Sequence, residues 1–389
     1  MEPMLPVEDG KTLANLTTEI TLEAGRLSGA RIPPETRNGI ERIVQQMNSY
    51  YSNLIEGHRT NPLDVEKALK KDFAKDPKKH ALQQLGVAHV EVEQLIKRQL
   101  QVDLATDAYS PEFLRSIHRE FYNRLPEEFR IVKYGDGKEY HLVPGEFRNF
   151  NVDVVRHIPP DHARLDAFMG RFQSVYASGQ IASTRRLVAI AAAHQRLLWI
   201  HPFGDGNGRV VRLFSHAALM QSGLDGFGLW TLSRGLARYR DEYYAHLAMA
   251  DQGRLSDFDG RGNLSAENLA KFCEFFLTTI LDQIKFMSSV LEYDGLKHRI
   301  ENYVYRNNVF GKRNDQGRHL LIEALHVGRY ARGEATRLTG FKETIARELL
   351  QKALDEGLLE SNGPRSPVYL GFPHKVLEDY FPKLFMPVI

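Results

Sequence analysis

The chain has 389 residues, enough for two or three domains. Hydrophobic residues make up 42% and charged residues 26%, the balance of a folded globular protein; the formal charge of +2 excludes a global basic field for nucleic acid. A single cysteine, Cys273, excludes an internal disulfide and a cysteine-built metal cluster, which fits a reducing compartment.

No apolar run reaches the length of a membrane span. The opening Met1-Glu-Pro-Met-Leu-Pro6 has neither the basic nor the apolar region of a secretion signal, so a cytoplasmic location is expected. In chain order, residues 35–56 have helical periodicity, with Ile40, Ile43, Val44, Met47, Tyr50, Tyr51, Leu54 and Ile55 on one side. Residues 62–99 predict two more helices, and Pro111 fits the first turn of another. Residues 131–160 change character: glycines, then alternation in Phe150-Asn-Val-Asp-Val-Val155, predict a short β-hairpin or flap, closed by Ile158-Pro-Pro160. Helices are expected over 163–178 and 184–200. The second is so apolar, from Leu187 to Ala193, that it reads as buried and central. Its His194 reads as a structural, hydrogen-bonded histidine. Further helical patterns cover 209–222, 235–250 and 265–292, and Cys273 falls on the apolar side of the last, as a core residue. The polar, glycine-containing stretch 305–318 reads as a domain boundary. Beyond it, a helix, two further helices and a strand–turn–strand follow, an order that resembles a winged helix-turn-helix.

The chemistry concentrates in His201-Pro-Phe-Gly-Asp-Gly-Asn-Gly-Arg-Val-Val-Arg212. Glycines alternating with Asp205 and Asn207 free backbone N–H groups to converge on an anion. The helix expected after Gly208 places that turn at a helix N-terminus, favourable for phosphate. Asp205 is a hard oxygen ligand suited to Mg2+. Arg209 and Arg212 lie three apart and flank the same helix end. His201, just before the turn, suits a general base.

The pattern His-x-Phe-x-Asp-Gly-Asn-Gly-Arg-x-x-Arg resembles the signature of the Fic family without a mismatch. The resemblance extends over roughly residues 40–290. It implies a mainly α protein: a Fic-fold helical core with a small β-hairpin flap, plus the C-terminal winged helix-turn-helix domain. Residues 1–100 would be an N-terminal helical region, 101–300 the catalytic core and 318–389 the winged domain. It also implies transfer of AMP from ATP, with Mg2+, to a Tyr, Thr or Ser hydroxyl of a target protein. His201 would deprotonate the hydroxyl and Asp205 would hold Mg2+. Gly206, Asn207 and Gly208 would cradle the α- and β-phosphates with Arg209, and Arg212 would reach the γ-phosphate. Ser52-Asn-Leu-Ile-Glu-Gly57 resembles the family's inhibitory motif, with Ser52 and Glu56 on one helix face and Glu56 paired to Arg212 in place of the γ-phosphate. Phe147–Pro160 is similar to the family's flap, which implies nucleotide contacts from Val154, Val155, Arg156 and His157. Tyr243-Tyr-Ala-His-Leu-Ala-Met-Ala-Asp251 is similar to the helix that closes the nucleoside pocket, which implies roles for Tyr243, Tyr244 and Asp251. At 251 an asparagine is commoner; an ionised aspartate only accepts hydrogen bonds.

Two other functions stay open at this stage. The same site can act as a hydrolase, with Glu56 orienting a water to remove AMP from a modified target. The chain can also be a DNA-binding regulator through residues 318–389, although near-balanced charges there make a poor electrostatic footprint, and protein docking or homodimerisation fits as well.

Overall fold

The computed structural model describes residues 1–6, 11–133, 139–154, 157–177 and 179–385; Val155 and Arg156 of the expected flap lie outside them. The fold is mainly helical. In chain order the helices are α1 (Lys11–Ser28), α2 (Pro34–Ile55), α3 (Pro62–Leu69), α4 (Pro77–Val102), α5 (Pro111–Asn123), α6 (Leu165–Tyr176), α7 (Arg186–Ile200), α8 (Asn207–Gln221), α9 (Leu232–Arg238), α10 (Arg240–Ala250), α11 (Ala266–Val290), α12 (Tyr293–Arg306), α13 (Asn314–Val327), α14 (Ala335–Thr339), α15 (Glu343–Asp355) and α16 (His374–Tyr380). The strands are β1 (Ile131–Lys133), β2 (Glu139–His141), β3 (Arg329–Tyr330), β4 (Leu359–Ser361) and β5 (Val368–Leu370). Two compact units result. The first comprises residues 1–25, 48–226 and 230–284; the second comprises 26–47, 227–229 and 285–389.

In the first unit α7 is the central helix. Residues Leu187 to Ala193 are all buried, and their small side chains let α6 and α8 pack closely on it. Helix starts follow local chemistry: Asn61, Asp76 and Ser110 each cap an N-terminus with a side-chain oxygen, followed directly by proline. β1 and β2 pair antiparallel, Ile131 opposite His141 and Lys133 opposite Glu139. Among its described residues the alternating run from Phe150 forms no strand. Arg148 takes the Phe150 carbonyl from a ladder, and the Asn151 side chain turns to cap His162; a bridge between Val154 and His157 is what remains. The pattern over 235–250 is also broken, at Tyr239, into α9 and α10.

In the second unit, α13, β3, α14, α15 and the β4–β5 hairpin build a three-stranded antiparallel sheet, order β3-β5-β4, backed by helices. Its core includes Leu320, Leu321, Leu350, Leu358, Val368 and Val376. The first half of α2 belongs here: Arg42 pairs with Glu360 at 3.4 Å, and Gly39 leaves room for the Phe372 ring. The segment 305–318 is therefore not a boundary. Its polar residues close a helix-to-helix turn: Asn314 Oδ1 accepts from Phe310 N at 2.8 Å, and Gly317 makes space for the Phe310 ring. The division falls instead at Ile284, within α11.

Candidate active site

α7 delivers the chain to His201 in a left-handed conformation, φ 51° and ψ 61°. A non-glycine residue there carries strain of about 1–2 kcal/mol, so the neighbourhood must hold it. Arg148 does much of this. Its Nε donates to the His201 carbonyl at 2.9 Å, its Nη1 to Phe150 O at 3.0 Å and its Nη2 to Pro160 O at 2.5 Å; its backbone N–H donates to Pro202 O at 2.9 Å. One buried guanidinium thus ties the motif loop to the flap segment. Asn207 closes the loop from inside: its Nδ2 donates to Phe203 O at 2.8 Å and its Oδ1 accepts from Phe203 N at 3.0 Å. Its side chain is therefore committed to the turn, and only its backbone N–H is available to an anion. Gly206, at φ 77°, starts α8, where a Cβ would press on the Tyr122 ring at 2.9 Å. The first amides of α8 have no intrahelical carbonyl to bond and face forward as donors.

Charged groups sit around this helix start. Tyr122 on α5 donates its hydroxyl to Asp205 Oδ2 at 2.7 Å, and Arg209 Nη2 reaches the same oxygen at 3.3 Å. Arg209 also lies over the Phe121 ring, 5.1 Å from its centroid. Burial raises the Asp205 pKa, but Arg209 and the Tyr122 hydroxyl more than offset it, so the group is held ionised below its usual range. Arg212, one turn further, donates to Ser52 Oγ and Ser52 O at 2.9 Å each and to Glu56 Oε1 at 2.7 Å. Burial pushes the Glu56 carboxyl up; Arg212 and Arg209 together pull it below its usual value. A Cβ on Gly208 would overlap Glu56 Oε1 and push the carboxylate from this position. Gly57, at φ 85°, ends α2 just beyond Glu56, and His58 N bonds Asn53 O.

These groups open on a cavity of about 620 Å³. Glu56, Gly208, Arg212, His201, Val154 and His157 line one part; Tyr243, Tyr244, Leu247, Ala248 and Asp251 line it along α10. Tyr244 and Asp251 are seven residues apart on that helix, about 10 Å, the reach from a nucleotide's phosphates to its base. Burial chiefly, helped by Arg148, lowers the His201 pKa to about 4, so its ring is neutral near pH 7 and free to accept a proton. His157 donates Nε2–H to Trp199 O at 2.7 Å. Tyr244 donates to Ile55 O at 3.2 Å, joined by Arg240 Nε at 3.1 Å, so two side chains cap the end of α2. Asp251 Oδ1 accepts from Gln195 Nε2 at 2.6 Å.

His194 is structural, as its setting in α7 implied. Ser215 gives its proton to Val211 O, so His194 Nδ1–H donates to Ser215 Oγ and Nε2 accepts from the Tyr243 hydroxyl, both at 2.7 Å. Tyr243 therefore meets the cavity with its ring. Ser52, Glu56, Asp205, Gly206, Asn207, Gly208, Arg209 and Arg212 converge at the start of α8, and Val154, His157, Tyr243, Tyr244 and Asp251 share the cavity. Sequence reasoning missed Tyr122, Gln195 and Arg240, and gave Arg148 no role. No local motif marks any of them.

Comparison with known proteins matches this arrangement to a class. Residues 108–219, from α5 through the motif into α8, match the Fic/DOC family. The protein adenylyltransferase Fic of Aedes aegypti is 35% identical over 114 residues, 29% of this chain and 22% of that one. That of Nematostella vectensis is 28% identical over 211 residues, 54% of this chain and 44% of that one. The chain thus spans less than half the length of these curated relatives. Among solved structures, a Fic family protein from Desulfovibrio desulfuricans G20 superposes with a TM-score of 0.54 at 18% identity, covering 95% of this chain and 98% of that one. Fic-1 of C. elegans, residues 134–508, gives 0.51 at 17% identity over 72% and 73%. The chain carries a Fic domain and has the Fic fold.

Proposed function

We propose that the protein transfers AMP from ATP to a hydroxyl side chain of a target protein, and that Glu56 restrains it. The observation that carries this reading is the Glu56–Arg212 ion pair at 2.7 Å inside the cavity that also holds His201. A triphosphate laid along the α8 amides would need Arg212 for its far end, and Glu56 occupies that partner. His201, neutral near pH 7, is placed to take the hydroxyl proton as the α-phosphate is attacked. The curated relatives' name, protein adenylyltransferase, supports the same chemistry. ATP brings Mg2+ into question. Asp205 is ionised and its side chain is 44% exposed, and among the described residues no cluster of three or more His, Cys, Asp or Glu forms a ready cage. This fits an ion that takes one carboxylate and draws its other ligands from phosphates. Bound there, Mg2+ would neutralise phosphate charge. Tyr122 and Arg209 hold the Asp205 carboxylate in position. Along α10, Tyr244 would flank the nucleoside and Asp251 would meet the base edge.

The test is transfer of labelled AMP from ATP to the protein itself and to a lysate. Glu56→Gly raises transfer by about tenfold or more, the factor that corresponds to ~1.4 kcal/mol of competition at Arg212. His201→Ala in the same background loses transfer and keeps ATP binding. Equal rates for the parent and Glu56→Gly would sink the restraint, and transfer surviving His201→Ala would sink the base. One observation favours a reverse reading: the ionised Glu56 carboxylate lies within the cavity, where it can orient a water. Release of AMP from an AMP-modified protein, lost in Glu56→Gly, would establish it.

For residues 318–389 we infer a winged helix-turn-helix used for protein docking rather than for duplex DNA. Two of its helix arginines are engaged by its own acids: Arg337 by Glu334 and Glu323, Arg347 by Glu343 on α15. Such pairs leave little charge for phosphates. A salt-sensitive shift of duplex DNA by the full chain would overturn this.

A further inference from the structure

The first six residues run as a strap across the first unit. Glu2 O accepts from Leu264 N at 2.9 Å, and the Glu2 carboxylate accepts from Arg171 Nε at 3.0 Å and Nη2 at 2.8 Å. Tyr176 donates to Met4 O, and Arg185 Nη2 to Pro6 O at 3.0 Å. The Met4 side chain is buried. The central contact is with Arg196 on α7, which has no solvent exposure. Its Nε and Nη2 both donate to Pro3 O, at 3.0 and 2.9 Å, while Nη1 donates to Gln195 Oε1 at 2.5 Å and to Ala250 O at 3.2 Å.

The hydrogen bonds continue to the cavity. Gln195, also fully buried, turns its oxygen to Arg196 and its nitrogen to Asp251 Oδ1. A flipped amide would set donors against donors on one side and oxygen against carboxylate on the other. Arg196 thus fixes Gln195, and Gln195 fixes the Asp251 carboxylate. Without Pro3 O, two buried guanidinium donors lose their acceptor, a loss that a buried cation does not tolerate. Arg196 would then turn toward another oxygen, and Asp251 is the nearby carboxylate that already acts on it.

We propose that the strap Glu2–Pro6 and Arg196 are positioning elements for the base end of the nucleotide cavity, acting through Gln195 on Asp251. This rests on the AMP-transfer reading, because it assigns Asp251 to the base edge. It also makes a buried contact outside the cavity lining a determinant of nucleotide affinity. Gly262 offers a handle, since a Cβ there would collide with the Glu2 carbonyl and displace the strap without touching the cavity.

The experiment uses the full chain carrying Glu56→Gly as parent, with Gly262→Ala and deletion of residues 2–6 as two independent ways to lift the strap. Binding of ATP and of inorganic tripolyphosphate is measured by calorimetry, each with and without Asp251→Ala. Lifting the strap weakens ATP binding on the order of tenfold and leaves tripolyphosphate binding unchanged. It raises KM for ATP more than it lowers kcat, and it adds nothing once Asp251 is alanine. Unchanged ATP binding in both variants, equal weakening of ATP and tripolyphosphate, or full additivity with Asp251→Ala would each overturn the inference. A folded parent that binds no ATP would overturn the proposed function itself, and the strap's role with it.

Discussion

Burial raises the Asp251 carboxyl from 3.8 to about 7, against the opposing pull of Arg196 and Gln195. A carboxyl whose pKa rises on folding binds more protons folded than unfolded between those values, so it costs stability increasingly as pH climbs from about 4 to 7. An amide in its place carries no such cost. Asp251→Asn is therefore expected to melt higher than the parent at pH 8, with the difference shrinking toward pH 4. Melting temperatures across that range check it, and a pH-independent difference would mean the carboxylate is not penalised in the fold. At this scale the sequence carried the motif residues, because each has its neighbours within a dozen positions. Tyr122 and Asp205 are 83 residues apart, and Arg196 and Pro3 are 193. Nothing local in a tyrosine or a proline marks such a contact; only the folded backbone brings the pair together.

The second half of α2 presents Glu56, and its hold on the first unit is polar and buried. Asn48 Nδ2 donates to Glu93 Oε2 at 2.5 Å while its Oδ1 accepts from the Thr231 hydroxyl at 2.6 Å. Ser49 donates to Gly86 O at 2.8 Å, and Arg212 grips Ser52. Truncating Asn48 to alanine removes both its bonds and costs about 1–3 kcal/mol. With α2 held less firmly, Glu56 also competes less well for Arg212. Asn48→Ala is expected to lower the urea midpoint and raise AMP transfer together; a lower midpoint with unchanged transfer would separate the helix's attachment from the restraint. Long elements were legible in the sequence: α2, α4 and α11 because one apolar face repeats over many turns, and α7 because its apolar run is unbroken. The break at Tyr239 and the fate of Phe150–Val154 were not. The first is a single residue that leaves helical geometry, at φ -109° and ψ 40°, and the second turns on Arg148 taking the Phe150 carbonyl; alternation of polarity records neither.

Across the whole molecule, the division of α2 between two units matters most for truncation. Residues 26–47 belong with 285–389, and within that unit Arg42 and Gly39 depend on Glu360 and Phe372. Deleting 318–389, the segment the sequence suggested as a separable module, strips these partners from the first half of α2. Every residue assigned to the chemistry remains, so catalysis persists. The shortened chain is expected to transfer AMP faster than the full chain and to bind an apolar dye where α12 loses its packing on α13 and α16. Measuring both on purified protein decides it: transfer and dye binding equal to the full chain would show that α2 needs nothing from that unit. The polar composition of 305–318 misled because a well-capped turn between packed helices and a linker draw on the same residues, Asn and Gly.

The left-handed backbone at His201 sets activity against durability. Every side chain at that position bears the cost of the angle; glycine alone does not. Of two inactive proteins, His201→Gly should therefore outlast His201→Ala by about 1 kcal/mol in denaturant, and equal midpoints would show that the imidazole's surroundings, not its backbone, carry the strain. A lineage freed from the need for transfer would gain stability by drifting to glycine at this site. On the proposed reading, a histidine at that angle gives up backbone stability to supply the base.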